Sequence, residues 1–330
     1  MSFGYSNKLE GHKESLLFIG IRDGIELVSC SLDGMVVFWD LKTLKTKKKI
    51  SLPKFNQQEI CCFSIQSTKI FTGFIEGLIT VCTLDSGTYL NSLKGHTDQI
   101  TSLISTPLIL LSASQDCTIR SWNLKSIICE IIYQFSDPIS DIFLYNSLIF
   151  VSSWDCKVRI INTEEGIIST EFIAGDKPLR SVCMDNNIVY TGGCDLIIKS
   201  HDLISGKVNE YKGIKSWVMG LKVLDEYLIA YCDDKLISVW NKNTTRLVEQ
   251  FSGHLDGVTC LEIWNGCFYS GGFDHAVLVW NVEEMKVRIG ERRLMTWEDI
   301  ESRKIETYFR ALNSNKKGKK NKKGKKSKKK

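Results

Sequence analysis

The chain has 330 residues, 43% hydrophobic and 25% charged, which fits a globular protein with a sizeable core; its 4 Pro exclude long proline-rich linkers. The formal net charge of +5 misleads, because Lys316 to Lys330 hold 11 Lys and no acid, and taking these from the 43 basic residues leaves 32 against 38 acidic ones. The body is therefore mildly acidic, and only the tail suggests affinity for a polyanion.

Length alone leaves open one large domain or two ordinary ones. The 12 Cys form neither CxxC pairs nor Cys/His groups at zinc spacing, so a reduced compartment is expected. Met1 to His12 lack the apolar stretch of a signal peptide, and no run reaches the length of a membrane span. These features predict a soluble intracellular protein, cytoplasmic or nuclear.

Taken in chain order, Phe3, Tyr5 and Leu9 read as a first strand. A repeat follows. Short apolar runs end at Trp39-Asp40, Cys82-Thr83, Trp122-Asn123, Ile161-Asn162, His201-Asp202, Trp240-Asn241 and Trp280-Asn281, with pitches of 43, 40, 39, 40, 39 and 40 residues. A small or polar residue stands 20 positions ahead of each of the last six landmarks, at Cys62, Ser102, Asp141, Ser181, Gly220 and Cys260. Inside a unit the residues alternate as strands do, as in Leu110 to Ser114, a turn at Gln115 to Cys117, and Thr118 to Trp122. Each unit has room for about four short strands, and a lone sheet of that size cannot bury both faces, so the units must stack radially and close. The predicted fold is all-β, a seven-bladed β-propeller.

Residues 8 to 281 resemble the WD-repeat family. Three units carry its whole signature: Gly11-His12 with Asp33 and Trp39, Gly95-His96 with Asp116 and Trp122, and Gly253-His254 with Asp274 and Trp280. The resemblance implies a hydrogen-bonded chain of His, turn Asp, strand Ser and Trp in each, the serines being Ser29, Ser112 and Ser270. The buried His and Trp N–H groups need partners, so this role is structural rather than catalytic. Four units depart from the signature: Glu76 and Cys82 in the second; Asp155 with Val151 and Ile161 in the fourth; Thr191, Asp195 and His201 in the fifth; Asp234 and Trp240 with Ala230 and no Gly-His pair in the sixth.

Met285 to Ile289 alternate as one more strand, and either this segment or the N-terminal one is expected to complete the last blade. A helix is expected from Thr296, with Ile305, Tyr308, Phe309 and Leu312 on one face, packed on the propeller or docking a partner. Lys316 to Lys330 are expected to be a disordered tail binding RNA, chromatin phosphate or an acidic membrane surface, or only solubilising the chain. The divisions expected are 1–294 for the propeller, 295–314 for the helix and 315–330 for the tail.

No nucleophile elbow, phosphate loop, HExxH or dinucleotide turn is present, so no cofactor, metal site or catalytic residue is assigned and an enzyme is not expected. Gly192-Gly193 and Gly271-Gly272 read as blade glycines, and Asp233-Asp234 as a turn pair. In the WD-repeat family the residue before the turn Asp looks onto the upper face; here it is Leu32, Ile75, Gln115, Trp154, Cys194, Asp233 or Phe273. Ser216 to Met219 are similar to a stretch of heterotrimeric G-protein β subunits in which the Trp and Met contact partners, with Glu59, Gln99, Pro138 and Arg180 at equivalent places. Trp217, Met219, Trp154, Phe273 and Arg180 are therefore the candidate partner-binding residues around the central channel. The leading functional expectation is a protein-interaction scaffold. The alternatives are an RNA- or ribosome-associated subunit holding RNA through its tail, and a substrate-recognition subunit of a ubiquitin ligase, the latter weakened because no F-box-like helical region precedes the propeller.

Overall fold

The computed structural model describes residues 4–55, 58–126, 128–163, 166–282 and 286–287. The chain divides into two units, Met1–Val282 and Glu283–Lys330. In the second, only Lys286 and Val287 are described; both are helical, where the sequence alternation had suggested a strand. The helix expected from Thr296 and the lysine tail lie outside the described residues.

The first unit is seven four-stranded antiparallel sheets. Their innermost strands are Leu16–Arg22, Ile60–Ile65, Ile100–Ser105, Ile139–Tyr145, Leu179–Asp185, Val218–Leu224 and Val258–Trp264. Each packs on the next around the ring, and the first packs on the last. Six blades are continuous in sequence. In the seventh, the outer strand is Asn7–Glu10, paired antiparallel with Ala276–Asn281 in the register Asn7 to Val279 and Leu9 to Val277. The N-terminus therefore closes the ring. Leu9 is buried among Leu16, Val277 and Val279, so apolar packing reinforces the backbone ladder there.

The core lies between blades rather than inside any one of them. Val28, Phe38 and Leu52 of the first blade pack on Phe63, Ile70 and Cys82 of the second. Tyr190 and Tyr211 of the fifth pack on Leu228 and Trp240 of the sixth. Each sheet buries its faces only against its neighbours, which is why the period had to recur.

Every inner strand contains a β-bulge at the same height. One extra residue, Leu17, Cys61, Thr101, Ser140, Arg180, Met219 or Thr259, interrupts the pairing with the second strand. The next residue is Phe18, Cys62, Ser102, Asp141, Ser181, Gly220 or Cys260, which includes all six small or polar landmarks of the sequence. Their size has a steric cause. Opposite Cys62 stands Gly73, where a Cβ would come within 2.7 Å of the Cys62 sulfur and 2.8 Å of Ile100 in the following blade. Gly271, opposite Cys260, is wedged in the same way against Leu16. The second strand of one blade meets the inner strand of the next here with no space to spare.

Candidate partner-binding surface

The upper ends of the blades are fixed by the side-chain chains expected from the sequence. In the third blade, Trp122 Nε1 donates to Ser112 Oγ at 2.8 Å, Ser112 Oγ lies 2.7 Å from His96 Nε2, and His96 Nδ1 lies 2.7 Å from Asp116. Because the carboxylate can only accept, the imidazole proton sits on Nδ1 facing it, and the Nε2 of the neutral ring accepts the serine proton. The seventh blade repeats this with Trp280, Ser270, His254 and Asp274 at 2.8, 2.7 and 3.0 Å. In the first blade Trp39 and His12 both reach Ser29 at 2.8 Å, but His12 Nδ1 stands 3.5 Å from Asp33 and makes no hydrogen bond. Burial lowers the His12 pKa, so that ring stays neutral. Burial works to raise Asp116, yet hydrogen bonds from His96 and Thr118 outweigh it and hold the carboxyl well below the usual range.

The departing blades find other partners. In the fourth, Arg159 takes over the task of the missing histidine: it binds Asp155 and Glu171, each at 2.5 Å, and stacks 5.1 Å from the Phe135 ring centre. In the sixth, where Ala230 replaces the serine, Trp240 Nε1 donates to the Lys212 carbonyl at 3.1 Å. In the fifth, His201 occupies the tryptophan position and lies against Phe172. In the second, Glu76 accepts from Gln58, and the Thr72 hydroxyl at the serine position has no partner. Arg159 was not singled out from sequence; the signal available was a basic residue two places before Ile161, where a histidine-linked Asp had lost its Trp and Ser.

The inner strands surround a channel with a cavity of about 1110 Å³. Its wall is stitched blade to blade. Ser181 Oγ donates to Asp141 at 3.1 Å, the Val182 N–H donates to the same carboxylate at 3.3 Å, and the Leu221 N–H donates to Ser181 Oγ at 3.3 Å. Burial pushes the Asp141 carboxyl up to about 6 despite hydrogen bonds from Val182, Ser102 and Ser181. Further along the strands, Lys222 pairs with Glu262 at 3.0 Å and Lys242 with Asp185 at 2.5 Å. Among the described residues, no group of three or more His, Cys, Asp or Glu is placed to hold a metal ion.

At the upper mouth, one backbone hydrogen bond recurs in all seven blades. The residue before the turn acid donates to the residue two places ahead of the bulge: Leu32 to Ser15, Ile75 to Glu59, Gln115 to Gln99, Trp154 to Pro138, Cys194 to Pro178, Asp233 to Trp217 and Phe273 to Gly257. Trp217 therefore corresponds to Glu59, Gln99 and Pro138, while Arg180 corresponds to Met219 on the bulge. Trp154, Arg180, Met219 and Phe273 line the mouth of the channel. Trp217 does not, but it joins the group through Arg180, whose guanidinium lies 5.6 Å from its ring centre. Trp154 and Trp217 are 47% and 49% exposed. The side-chain pair Gln115–Gln99, at 3.1 Å on the same rim, had not been picked out; its two members sit at the repeat positions already aligned.

The family described as WD40: WD domain, G-beta repeat, matches residues 87–123 and 245–281. An uncharacterized WD repeat-containing protein of Schizosaccharomyces pombe is 25% identical, over 78% of this chain and 75% of its own length. WD repeat-containing protein 82 of Drosophila melanogaster is 29% identical, over 33% of this chain and 35% of its own. The putative E3 ubiquitin-protein ligase LIN-2 of Lotus japonicus is 25% identical, over 56% of this chain and 13% of its own. The chain thus spans well under two thirds of the last two.

Proposed function

We propose, for a chain that belongs to the WD-repeat family of β-propellers, that it is a non-catalytic scaffold whose protein partner binds the upper face of the ring. The observation carrying this reading is the cluster at the mouth of the channel, where Arg180 and two half-exposed tryptophans, Trp154 and Trp217, sit beside Met219 and Phe273. Exposed aromatics and arginine on a rigid frame are the residues that dominate protein interfaces. The channel wall supports a binding rather than a chemical role, since Asp141, Lys222 and Lys242 are each engaged by neighbouring blades. No helix among the described residues is long and apolar enough to cross a membrane, and we place the scaffold in the cytoplasm or nucleus on its cysteine usage.

The test is recovery of bound proteins by the intact chain and by a folded Trp217→Ala/Phe273→Ala variant. Loss of specific proteins from the variant supports the upper face, and identical recovery removes it. The lysine tail adds sequence-independent attachment to a polyanion, RNA foremost, because its 11 lysines carry no interleaved aromatics for base stacking. Truncation after Ser314 is expected to abolish a steep salt dependence of RNA binding; an unchanged salt slope would discard the tail's role.

A further inference from the structure

We infer that the upper mouth receives a carboxylate side chain of the partner and that Arg180 is its receptor, an inference that rests on the upper face being the partner surface.

The seven bulges place one side chain each at the same height around the channel. Six of these are neutral: Leu17, Cys61, Thr101, Ser140, Met219 and Thr259. The seventh is Arg180, a single cation in an otherwise uncharged ring. A bulge fixes the direction of its side chain, and the stack on Trp217 fixes the guanidinium as well. The indole lies on one side of the group, while its N–H groups have no acceptor: among the described residues, the Arg180 side chain makes no hydrogen bond or ion pair. The contrast within this chain is informative. Arg22 is bound to Asp85 at 2.8 Å, and Arg159 is bound to two carboxylates.

A guanidinium positioned by an aromatic ring offers parallel donors in one plane, the arrangement that a planar carboxylate matches with two hydrogen bonds. Trp154, Met219 and Phe273 line the same mouth, and a partner seated on them would shield the pair from water, which strengthens it. A long anionic polymer fits less well. Glu59 and Asp233 are exposed on the same rim and would repel continuous negative charge, whereas one acidic residue in an otherwise uncharged peptide avoids them.

A random heptapeptide display library selected on the immobilised full chain tests this. Peptides held by the wild type are expected to carry Asp or Glu at one position about tenfold above selection on Arg180→Met, in line with a charge-assisted pair. Arg180→Glu is expected to shift that position to Lys or Arg. Arg180 has only its stacking contact to lose, and an unchanged melting temperature would show that the variants are folded. Trp217→Ala/Phe273→Ala should reduce recovery of all peptides. If wild-type peptides depend on Trp217 and Phe273 but show no acidic enrichment, the carboxylate inference falls and the upper-face reading stands. If no recovered peptide depends on those two aromatics, both fall.

Discussion

The side chain of Tyr231 fills the place that a Cβ on Gly220 would need, its ring and hydroxyl lying over the glycine with which it is paired across the innermost ladder of the sixth blade. In five other blades the bulk is arranged the other way, with the side chain on the inner strand and a small residue opposite: Cys62 with Gly73, Ser102 with Ala113, Asp141 with Ser152, Ser181 with Gly192 and Cys260 with Gly271. One tyrosine thus replaces the usual occupant from the neighbouring strand. Gly220→Ala should therefore destabilise the protein by about 2–3 kcal/mol through overpacking, and Tyr231→Ala by about 3 kcal/mol through a cavity. The double change Gly220→Ser with Tyr231→Gly restores the arrangement of the fifth blade, so urea titration should find it less damaging than the sum of Gly220→Ser and Tyr231→Gly made singly.

The His–Ser–Asp–Trp chains predict a graded response. Both carboxylates accept two backbone N–H bonds, so the difference lies at the histidine: Asp116→Asn disturbs a close contact to His96, whereas Asp33→Asn changes little at His12, from which it is already 3.5 Å away. Urea unfolding should show the Asp116 variant losing about 1–3 kcal/mol and the Asp33 variant clearly less. The sign of the pH effect follows from the depressed carboxyls of Asp116 and Asp274. Their contribution is complete above the ordinary carboxylate value near 4 and is lost as pH falls below it toward the folded value. Acid unfolding of Asp116→Asn should accordingly be less steep than that of the wild type.

The fold was legible because a buried period leaves a trace even where its chemistry changes. Cys82, Ile161 and His201 keep the terminal landmark although none makes the tryptophan-to-serine hydrogen bond, since what the position must supply is a body packed against its neighbours. The ring closure was not legible: both chain ends alternated, and only pairing of Leu9 with Val277 distinguishes them. The grouping of Trp154, Arg180, Met219 and Phe273 at one mouth followed from aligning the repeats. The stack of Arg180 on Trp217 did not, because it joins a bulge residue of one blade to a loop residue of the next, 37 positions away.

Arg159 should be resistant to replacement by lysine. Its planar fork reaches Asp155 with one nitrogen and Glu171 with another while its face lies on Phe135, and an ammonium can reproduce only part of this. Arg159→Met leaves the buried side of Asp155 without its cation and should cost about 1–3 kcal/mol, with Arg159→Lys recovering less than half, as read from thermal unfolding.

Asp141 gives the fold a dependence on pH opposite to that of Asp116. Burial raises its carboxyl to about 6, above the ordinary value of 3.8 that holds in an unfolded chain, so between these values the folded protein holds more protons than the unfolded one. Its contribution is then greatest below pH 4, declines as pH rises to 6, and is constant above that. A shift of this size corresponds to at most about 3 kcal/mol, and access of channel water lowers the expected effect to the order of 1 kcal/mol. Asp141→Asn keeps an acceptor for Ser181 and the Val182 N–H but cannot ionise. The difference in unfolding free energy between this variant and the wild type should therefore change across pH 4 to 6, with the variant gaining relative stability as pH rises. Parallel profiles across that window would show that Asp141 does not titrate there.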